Sequence, residues 1–191
     1  MNSIHVHRMA ISIMDQTLLP GRVHWLKLTS LSDFAGAIKG MKVRGAPLIG
    51  VVAAFGLSLV AQRSRVRSKS ELLRELRRAA HLLASTRLTI GNLSWALNQV
   101  LRAAAASDGM ESARRAAYTA ARELFRRDVQ ANMSIGRTGS KLIRDGDCIL
   151  THCNTGWLRV GCKRRLRDRH CGFPNKASSL NVIKGRMSVA I

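Results

Sequence analysis

The run LIGVVAAFGLSLVAQ, residues 48–62, constrains the fold of this chain more than any other stretch. It is apolar on every side, so a helix built from it has no face for water and must be enclosed by other elements. Gly50 and Gly56 allow neighbouring backbones to approach closely. Because the run is shorter than the roughly 20 apolar residues of a membrane span, it predicts a buried helix at the centre of a helical bundle.

Amphipathic segments on both sides of this run predict the helices that cover it. Before it, SLSDFAGAIKGM has a cap at Ser30 or Ser32 and an apolar face that ends at Met41. After it, SKSELLRELRRAAHLL opens with the capping-box spacing Ser68-x-x-Glu71. Two more helices are predicted from LTIGNLSWALNQVLRAAAA and ESARRAAYTAARELFRRDVQANM. The sequence therefore predicts a mainly helical domain.

Two other parts of the chain are β-like. Within residues 4–28, the segments IHVH, AISIMD and RVHWLKL alternate or carry β-branched residues, and a Pro-Gly turn precedes the last of them. They predict a small meander. Farther on, residues 148–151 form a short apolar strand that leads into a loop beginning at Cys153. Ligands of α/β sheets bind beyond the carboxyl ends of strands, so this loop is a candidate for chemistry.

The net charge of +21 would ordinarily indicate a polyanionic partner. Lys and Arg outnumber Asp and Glu by 23 to 10 before Trp157, and by nine to one from there on. The helical arginines lie opposite the apolar stripes, and one Tyr and four Phe leave few rings to stack on bases. We therefore read them as a solvated face and expect no specific nucleic-acid partner. A basic nucleic-acid-binding protein stays open as an alternative.

The cysteines and the start of the chain bear on location and metals. The four cysteines contain no C-x-x-C pair, and the start MNSIHVHRMAIS lacks the apolar core of a signal peptide. We expect free thiols, no metal, no cofactor, no membrane and a cytoplasmic protein.

The pattern KVRGAPLIG is the strongest local indication of a ligand site. Pro47 suits the first turn of the following helix, where its missing N–H costs nothing. Gly45 and Ala46 have no bulk, so their N–H groups, the helix dipole and the Arg44 guanidinium together form an anion site suited to phosphate. The alternative is an arginine in a turn before a buried helix.

Two further sites are weaker. In TRLTIGN, Arg87 precedes a helix that Thr89 could cap, which places a cation near helix N–H groups, although most such arginines are surface residues. Backbone N–H groups could lower the pKa of the Cys153 thiol and make it an acid, a base or a nucleophile. A lone cysteine after an apolar strand can equally be inert packing, and we interpret its neighbour His152 as structural.

Five motifs occur in the order typical of one enzyme family. They are IMDQTLLP (13–20), MKVRGAPLIG (41–50), STRLTIGNLSWAL (85–97), DVQANMSIGRTG (128–139) and ILTHCNTG (149–156). Over residues 1–156 the chain resembles the amino-terminal half of the methylthioribose-1-phosphate isomerases. Their superfamily also contains archaeal ribose-1,5-bisphosphate isomerase and regulatory subunits of the initiation-factor guanine-nucleotide exchange factor. Arg-Gly-Ala-Pro together with Thr-His-Cys-Asn favours the methionine-salvage isomerase.

The resemblance implies an activity and roles for particular residues. The family converts 5-methylthioribose 1-phosphate to 5-methylthioribulose 1-phosphate without a metal, and its members are homodimers. It implies that Arg44, Gly45 and Ala46 hold the sugar phosphate, that Arg87 helps to bind it, and that Cys153 takes part in the proton chemistry. The family usually has Pro after the second arginine, where this chain has Leu88.

The resemblance stops at Trp157. The family continues with a Gly/Ala-rich helix and a catalytic aspartate, whereas Asp168 lies in no comparable setting. Every arginine codon has G as its second base. In a reading frame shifted by one base, these positions give codons that begin with G, and such codons specify Gly, Ala, Val, Asp or Glu. We therefore interpret the tail as the product of a frameshift near Trp157.

These observations define the expected organisation. The fold class is α+β and mainly helical, with a small N-terminal sheet and a helical bundle leading into the first strand of a truncated Rossmann-like α/β domain. We expect an N-terminal domain over 1–144, the start of the catalytic domain over 145–156, and a disordered basic tail over 157–191. We expect the chain itself to be inactive. A noncatalytic regulatory subunit of the same fold stays open as an alternative.

Overall fold

The computed structural model of this chain describes residues 3–7 and 9–142, together with the strands at 148–152 and 181–185. The chain begins with an antiparallel meander of β1 (Ile4–Val6), β2 (Ile11–Met14) and β3 (Trp25–Leu28), in that order across the sheet. Ile13 lies between Ile4 and Leu26 in the register, and the apolar face of the sheet is buried. The predicted meander is confirmed.

The described part of the chain then forms five α-helices. They are α1 (Leu31–Lys39), α2 (Ala46–Arg63), α3 (Lys69–Ser85), α4 (Gly91–Ala105) and α5 (Met110–Gly139). Helix α2 is buried over most of its length and packs against all four of the others. The predicted central helix and the predicted fold class, mainly helical with a small antiparallel sheet, are therefore confirmed.

Close packing and side-chain caps hold α2 in the centre. A Cβ at Gly56 would come within 2.8 Å of the Phe34 ring, so glycine is what allows α1 to lie on α2 at this point. At the other end of the helix, the Arg114 guanidinium donates to the carbonyls of Ala61 and Gln62 at 3.0 and 3.2 Å. A cation there satisfies carbonyls that have no partner inside the helix.

The length of α2 corrects one prediction. At 18 residues, with a mean hydropathy of 1.5, it is long and apolar enough to cross a membrane, so the sequence-based statement that it is too short is wrong. Its setting explains the composition, because 72% of it is buried inside the protein. A helix enclosed on all sides needs the same apolar surface as one in lipid.

Two helix boundaries also differ from the prediction. Helix α1 ends at Lys39, and Met41 lies beyond it at φ 55° and is exposed, so the apolar face predicted to include Met41 ends at Ile38. Helix α5 continues to Gly139, well past the segment predicted for it. The added turns carry the exposed side chain of Ile135 and lack an inward apolar stripe, which is why periodicity did not predict them.

A second sheet consists of β4 (Cys148–His152) and β5 (Asn181–Gly185), which pair in parallel. The first strand was predicted and is confirmed. The second lies in the 157–191 segment, where no element was expected, although its sequence NVIKG contains two adjacent β-branched residues. The residues between the strands lie outside the described part, so the domain boundaries and the origin of the tail stay predictions.

Candidate functional site

Two of the helices have first turns that their own side chains close. In α1 the Ser30 hydroxyl accepts from the Asp33 N–H at 3.2 Å, and the Asp33 carboxylate accepts from the Ser30 N–H at 2.8 Å. Helix α3 repeats this reciprocal pair with Ser68 and Glu71. Donors without a partner inside the helix are thereby satisfied. The predicted caps at Ser30 and Ser68 are confirmed, whereas Ser32 lies inside α1 and does not cap it.

The first turn of α2 is built differently. Its N-cap residue is Gly45, which has no side chain to offer and lies at φ 92°, a conformation that favours glycine. The Gly45 carbonyl accepts from the Ile49 N–H at 2.9 Å, so the helix begins there in good geometry. Pro47 occupies the first turn, as predicted, and no side-chain cap is present. The N–H groups at this end are therefore directed at whatever lies beyond the helix.

The Arg44 guanidinium lies beside this helix start. Its Nε donates to the Met41 carbonyl at 3.3 Å, which anchors the side chain in the turn between α1 and α2. That turn is itself fixed, because the Gln16 N–H donates to the Lys42 carbonyl at 2.9 Å and Val43 is completely buried. The motif Arg44-Gly45-Ala46 thus combines a cation, a glycine-dependent turn and an uncapped helix start on a rigid support.

Helix α4 also has an uncapped start. At the start of α5, by contrast, the Gly109 N–H donates to the Ser112 hydroxyl at 2.9 Å. The N-cap residue of α4 is Ile90 and no side chain caps it, so the prediction that Thr89 is the cap is wrong. Two hydrogen bonds shape the turn instead, from the Arg87 N–H to the Ala84 carbonyl at 3.4 Å and from the Ile90 N–H to the Arg87 carbonyl at 3.3 Å. This tight turn carries the chain one residue past Thr89 before the helix begins. Arg87 is half-buried, and Leu88 beside it is 86% exposed.

The two uncapped starts lie together in space. A Cβ at Gly50 would come within 2.9 Å of the Asn92 carbonyl oxygen and 3.3 Å of the Ala96 Cβ. Gly50 is in the second turn of α2, and Asn92 is in the first turn of α4. The small residue at position 50 therefore sets how closely the two helix starts approach. Together they form an electropositive region, to which each helix dipole contributes.

A cavity of about 280 Å³ opens beside this junction. Its lining residues come from α2, α4 and α5 and are Pro47, Gly50, Val51, Asn92, Trp95, Ala96, Leu124, Arg127, Asp128 and Ala131. Trp95 is 54% exposed, although the neighbouring Leu93 and Ala96 face the core. Sequence reasoning did not single out Trp95. The sequence does contain a signal for it, because a large aromatic residue outside the apolar stripe of an amphipathic helix is typical of a binding surface.

Cys153 is the remaining predicted site residue, and it lies outside the described residues. Its position in the chain directly follows β4, which ends at His152 and has β5 as its parallel neighbour. The catalytic role of Cys153 stays a prediction. Within the described ranges, no cluster of three or more His, Cys, Asp or Glu residues could hold a metal ion.

Known proteins have a similar sequence and fold. The initiation factor 2 subunit family matches residues 42–175, a range that continues past Trp157. The methylthioribose-1-phosphate isomerase of Pelotomaculum thermopropionicum is 42% identical over 150 residues, which are 78% of this chain and 41% of that protein.

Two crystal structures are similar to this one. One is 5-methylthioribose 1-phosphate isomerase from Pyrococcus horikoshii, with a TM-score of 0.79, 34% identity, and coverage of 84% of this chain and 46% of that one. The other is the delta subunit of the translation initiation factor eIF-2B from A. fulgidus, with a TM-score of 0.76, 34% identity, and coverage of 85% and 47%.

The chain spans less than half the length of each of these three proteins. The family match nevertheless covers well over half of the chain and includes both uncapped helix starts. This chain therefore belongs to the initiation factor 2 subunit family.

Proposed function

We propose that this chain supplies the sugar-phosphate-binding part of an aldose–ketose isomerase that converts 5-methylthioribose 1-phosphate to 5-methylthioribulose 1-phosphate, a reaction of methionine salvage. The observation that carries the proposal is the meeting of two uncapped helix starts, each with an arginine beside it, at Gly50. The similarity to a methylthioribose-1-phosphate isomerase supports 5-methylthioribose 1-phosphate as the sugar phosphate that binds here.

In the proposed binding mode the phosphate lies at the start of α2. The N–H of Ala46 donates to it, and the Arg44 guanidinium supplies a charge-assisted hydrogen bond. Arg87 reaches the same anion from the start of α4. Gly45 is needed because its positive φ turns the backbone so that the first N–H groups of α2 are not covered.

The chemistry explains why the phosphate must be held firmly. A phosphate on the anomeric oxygen prevents ordinary opening of the sugar ring, so the site must assist cleavage of the ring C–O bond. The ring oxygen then receives a proton, and hydrogen moves from C2 to C1 to give the ketose. We propose that Cys153 takes part in this proton transfer, as its place after a parallel strand suggests.

The experiment that tests the binding mode is calorimetric titration with 5-methylthioribose 1-phosphate. Loss of a charge-assisted hydrogen bond costs about 1.5–3 kcal/mol, so Arg44→Ala and Arg87→Ala should each weaken binding about 10- to 100-fold. Arg102→Ala is the matched control, because Arg102 lies in the last turn of α4. Equal affinities for the three variants, or equal binding of the unphosphorylated sugar, would contradict the proposal.

We propose further that the 191-residue chain binds the ester without measurable turnover. No residue after Trp157 matches the catalytic aspartate that the resemblance implies, and loss of one group of a proton-transfer pair commonly costs several orders of magnitude. A coupled assay of the purified chain that detects the ketose at a rate ordinary for an enzyme would disprove this. A cytoplasmic location belongs to the same proposal, and a homodimer is proposed for the whole isomerase and not for the 191-residue chain.

A second candidate is a noncatalytic regulatory subunit of the same fold. The similarity to the eIF-2B delta subunit favours it. The two candidates differ in their ligand, since a regulatory subunit would form a stable complex with a protein partner and would not need Arg44 to do so. Retention of a complex by the Arg44→Ala variant, together with no binding of the sugar phosphate, would favour this second candidate.

A further inference from the structure

We propose that the cavity beside the two uncapped helix starts binds the apolar substituent at C5 of the sugar phosphate, and that Trp95 is the residue that selects for it. This inference rests on the proposed function, because it assumes that the phosphate lies at the start of α2. It extends the proposed site by a pocket that distinguishes a thioether or methyl group at C5 from a hydroxyl group.

The cavity lies at a suitable distance from the start of α2. Pro47 and Gly50 line the cavity, and Ala46 begins the same helix. With a rise of 1.5 Å per residue, Gly50 is about 6 Å along the axis from Ala46. The phosphate on C1 and the substituent on C5 lie at opposite ends of a furanose, a similar distance apart. A ligand anchored by its phosphate can therefore place its C5 substituent in the cavity.

The lining of the cavity is mainly apolar. The α2 and α4 walls contribute Val51, Ala96 and the ring of Trp95, and α5 contributes Leu124 and Ala131. An exposed indole costs little to cover and gains contact area with an apolar ligand group. A thioether sulfur makes an additional favourable contact with an aromatic ring. These groups favour a methylthio substituent.

Two charged groups of the lining, Arg127 and Asp128, have partners already. The Nε of Arg127 donates to Glu123 at 2.7 Å, and the pKa of the Glu123 carboxyl is lowered to about 2 by Arg126 and Arg127, so this ion pair persists at neutral pH. The Asn132 amide donates to the Asp128 carboxylate at 3.1 Å. A C5 hydroxyl in the cavity would lose its contacts with water and would gain little from these two groups, which disfavours it.

A larger cavity elsewhere is too distant to serve the same ligand. The groove between α2 and α3, of about 430 Å³, is lined by Leu59, Val60 and Arg63 at the far end of α2. Arg63 is about 25 Å along the helix axis from Ala46. A single sugar phosphate cannot reach both.

The test compares three esters by calorimetric titration: ribose 1-phosphate, 5-deoxyribose 1-phosphate and 5-methylthioribose 1-phosphate. Placing the substituent in an apolar pocket should favour the methylthio ester over ribose 1-phosphate by about tenfold or more. Trp95→Ala should reduce this preference about tenfold and change the affinity for ribose 1-phosphate less than about twofold. Arg44→Ala should weaken all three esters by the same factor.

A cavity-filling variant tests the assignment without removing the indole. Ala131 is an exposed residue of α5 that lines the cavity, so Ala131→Leu fills the space and leaves the core intact. It should abolish the preference for the methylthio ester. Thr119→Leu, at an exposed position of the same helix, is the control and should retain the preference.

The outcomes separate the two proposals. If all three esters bind and the preference survives in both Trp95→Ala and Ala131→Leu, the cavity assignment is wrong and the proposed function stands. If the wild-type chain shows no preference among the esters, the cavity assignment is also wrong. If none of the esters binds, the proposed function fails and the cavity assignment fails with it.

Discussion

Helices α1 and α3 begin in a different way from helices α2 and α4. The first two are closed by reciprocal hydrogen bonds between an N-cap serine and an acidic residue three positions later. The other two begin at Gly45 and Ile90, which provide no side-chain cap, and each is preceded by an arginine. The closed starts have N–H donors that their own side chains satisfy, whereas the two uncapped starts meet at Gly50.

The difference shows how one structural problem receives two solutions. Every helix start leaves N–H donors without a partner inside the helix. A serine and a carboxylate satisfy them internally and stabilise the fold by about 1 kcal/mol. An uncapped start forgoes that stabilisation and keeps its donors for a ligand. The account therefore predicts that substitutions at the two kinds of start separate cleanly into effects on stability and effects on binding.

The largest expected effect comes from Gly45→Val. A β-branched residue at φ 92° is strained, so we expect a loss of about 3 kcal/mol in the free energy of unfolding. Binding of the sugar phosphate should also be lost. Gly91→Val is the control, because nothing lies within 4 Å of its added Cβ, and it should change stability by less than about 0.5 kcal/mol. Urea denaturation of both variants measures this, and equal losses would refute the special role of Gly45.

The next effect concerns the contact between the two uncapped starts. Gly50→Ala places a Cβ against the Asn92 carbonyl, which belongs to the backbone and cannot move without shifting α4. We expect a loss of about 2 kcal/mol in unfolding free energy and a fall in ligand affinity. Gly36→Ala, at an open position in α1, should be neutral or stabilising. If Gly50→Ala leaves both stability and affinity unchanged, the close approach of α2 and α4 is not needed.

Removing the closed starts should have a smaller effect, confined to stability. Ser30→Ala and Ser68→Ala should each lower the free energy of unfolding by about 1 kcal/mol. The effects should add in the double variant, because the two caps share no partner. Affinity for 5-methylthioribose 1-phosphate should not change. A tenfold loss of affinity in either variant would show that the starts are not functionally distinct.

The smallest effect is a dependence on pH. The Thr29 N–H lowers the pKa of the Asp33 carboxyl below its ordinary value, and the Ser68 side chain does the same for Glu71. A depressed pKa stabilises the fold above the unfolded value and loses this contribution as pH falls through the folded value, here below about pH 4. Hydrogen exchange should show the Ser30 and Ser68 amides, which donate to these carboxylates, losing protection in acid before the Ile49 amide, which donates to the Gly45 carbonyl. Asp33→Asn should remove this response from α1 alone.

Local patterns predicted much of this architecture. The capping boxes at Ser30 and Ser68, the meander and the enclosed helix around Gly56 all follow from spacings within one element. The anion-site motif at Arg44 was equally visible, because a cation, two small residues and Pro47 are adjacent in the chain. Features that arise from residues close together in the chain are readable before any tertiary contact is known.

The remaining features depend on contacts between distant segments. Thr89 has the right chemistry for a cap, but the turn after Arg87 delays the start of α4 to Ile90. The meeting of α2 with α4 at Gly50 depends on a neighbour more than 40 positions away. The cavity beside Trp95 requires three helices at once. Periodicity carries no information on such relations between elements.

The central claim, that the uncapped starts bind an anion and the closed starts do not, is tested most directly by following backbone amide resonances during titration with 5-methylthioribose 1-phosphate. We predict concentration-dependent shifts at Gly45, Ala46 and Gly91, with none at Asp33 and Glu71. Unchanged resonances at Gly45 and Ala46 at saturating ligand, or equal shifts at the starts of α1, α2, α3 and α4, would contradict the account.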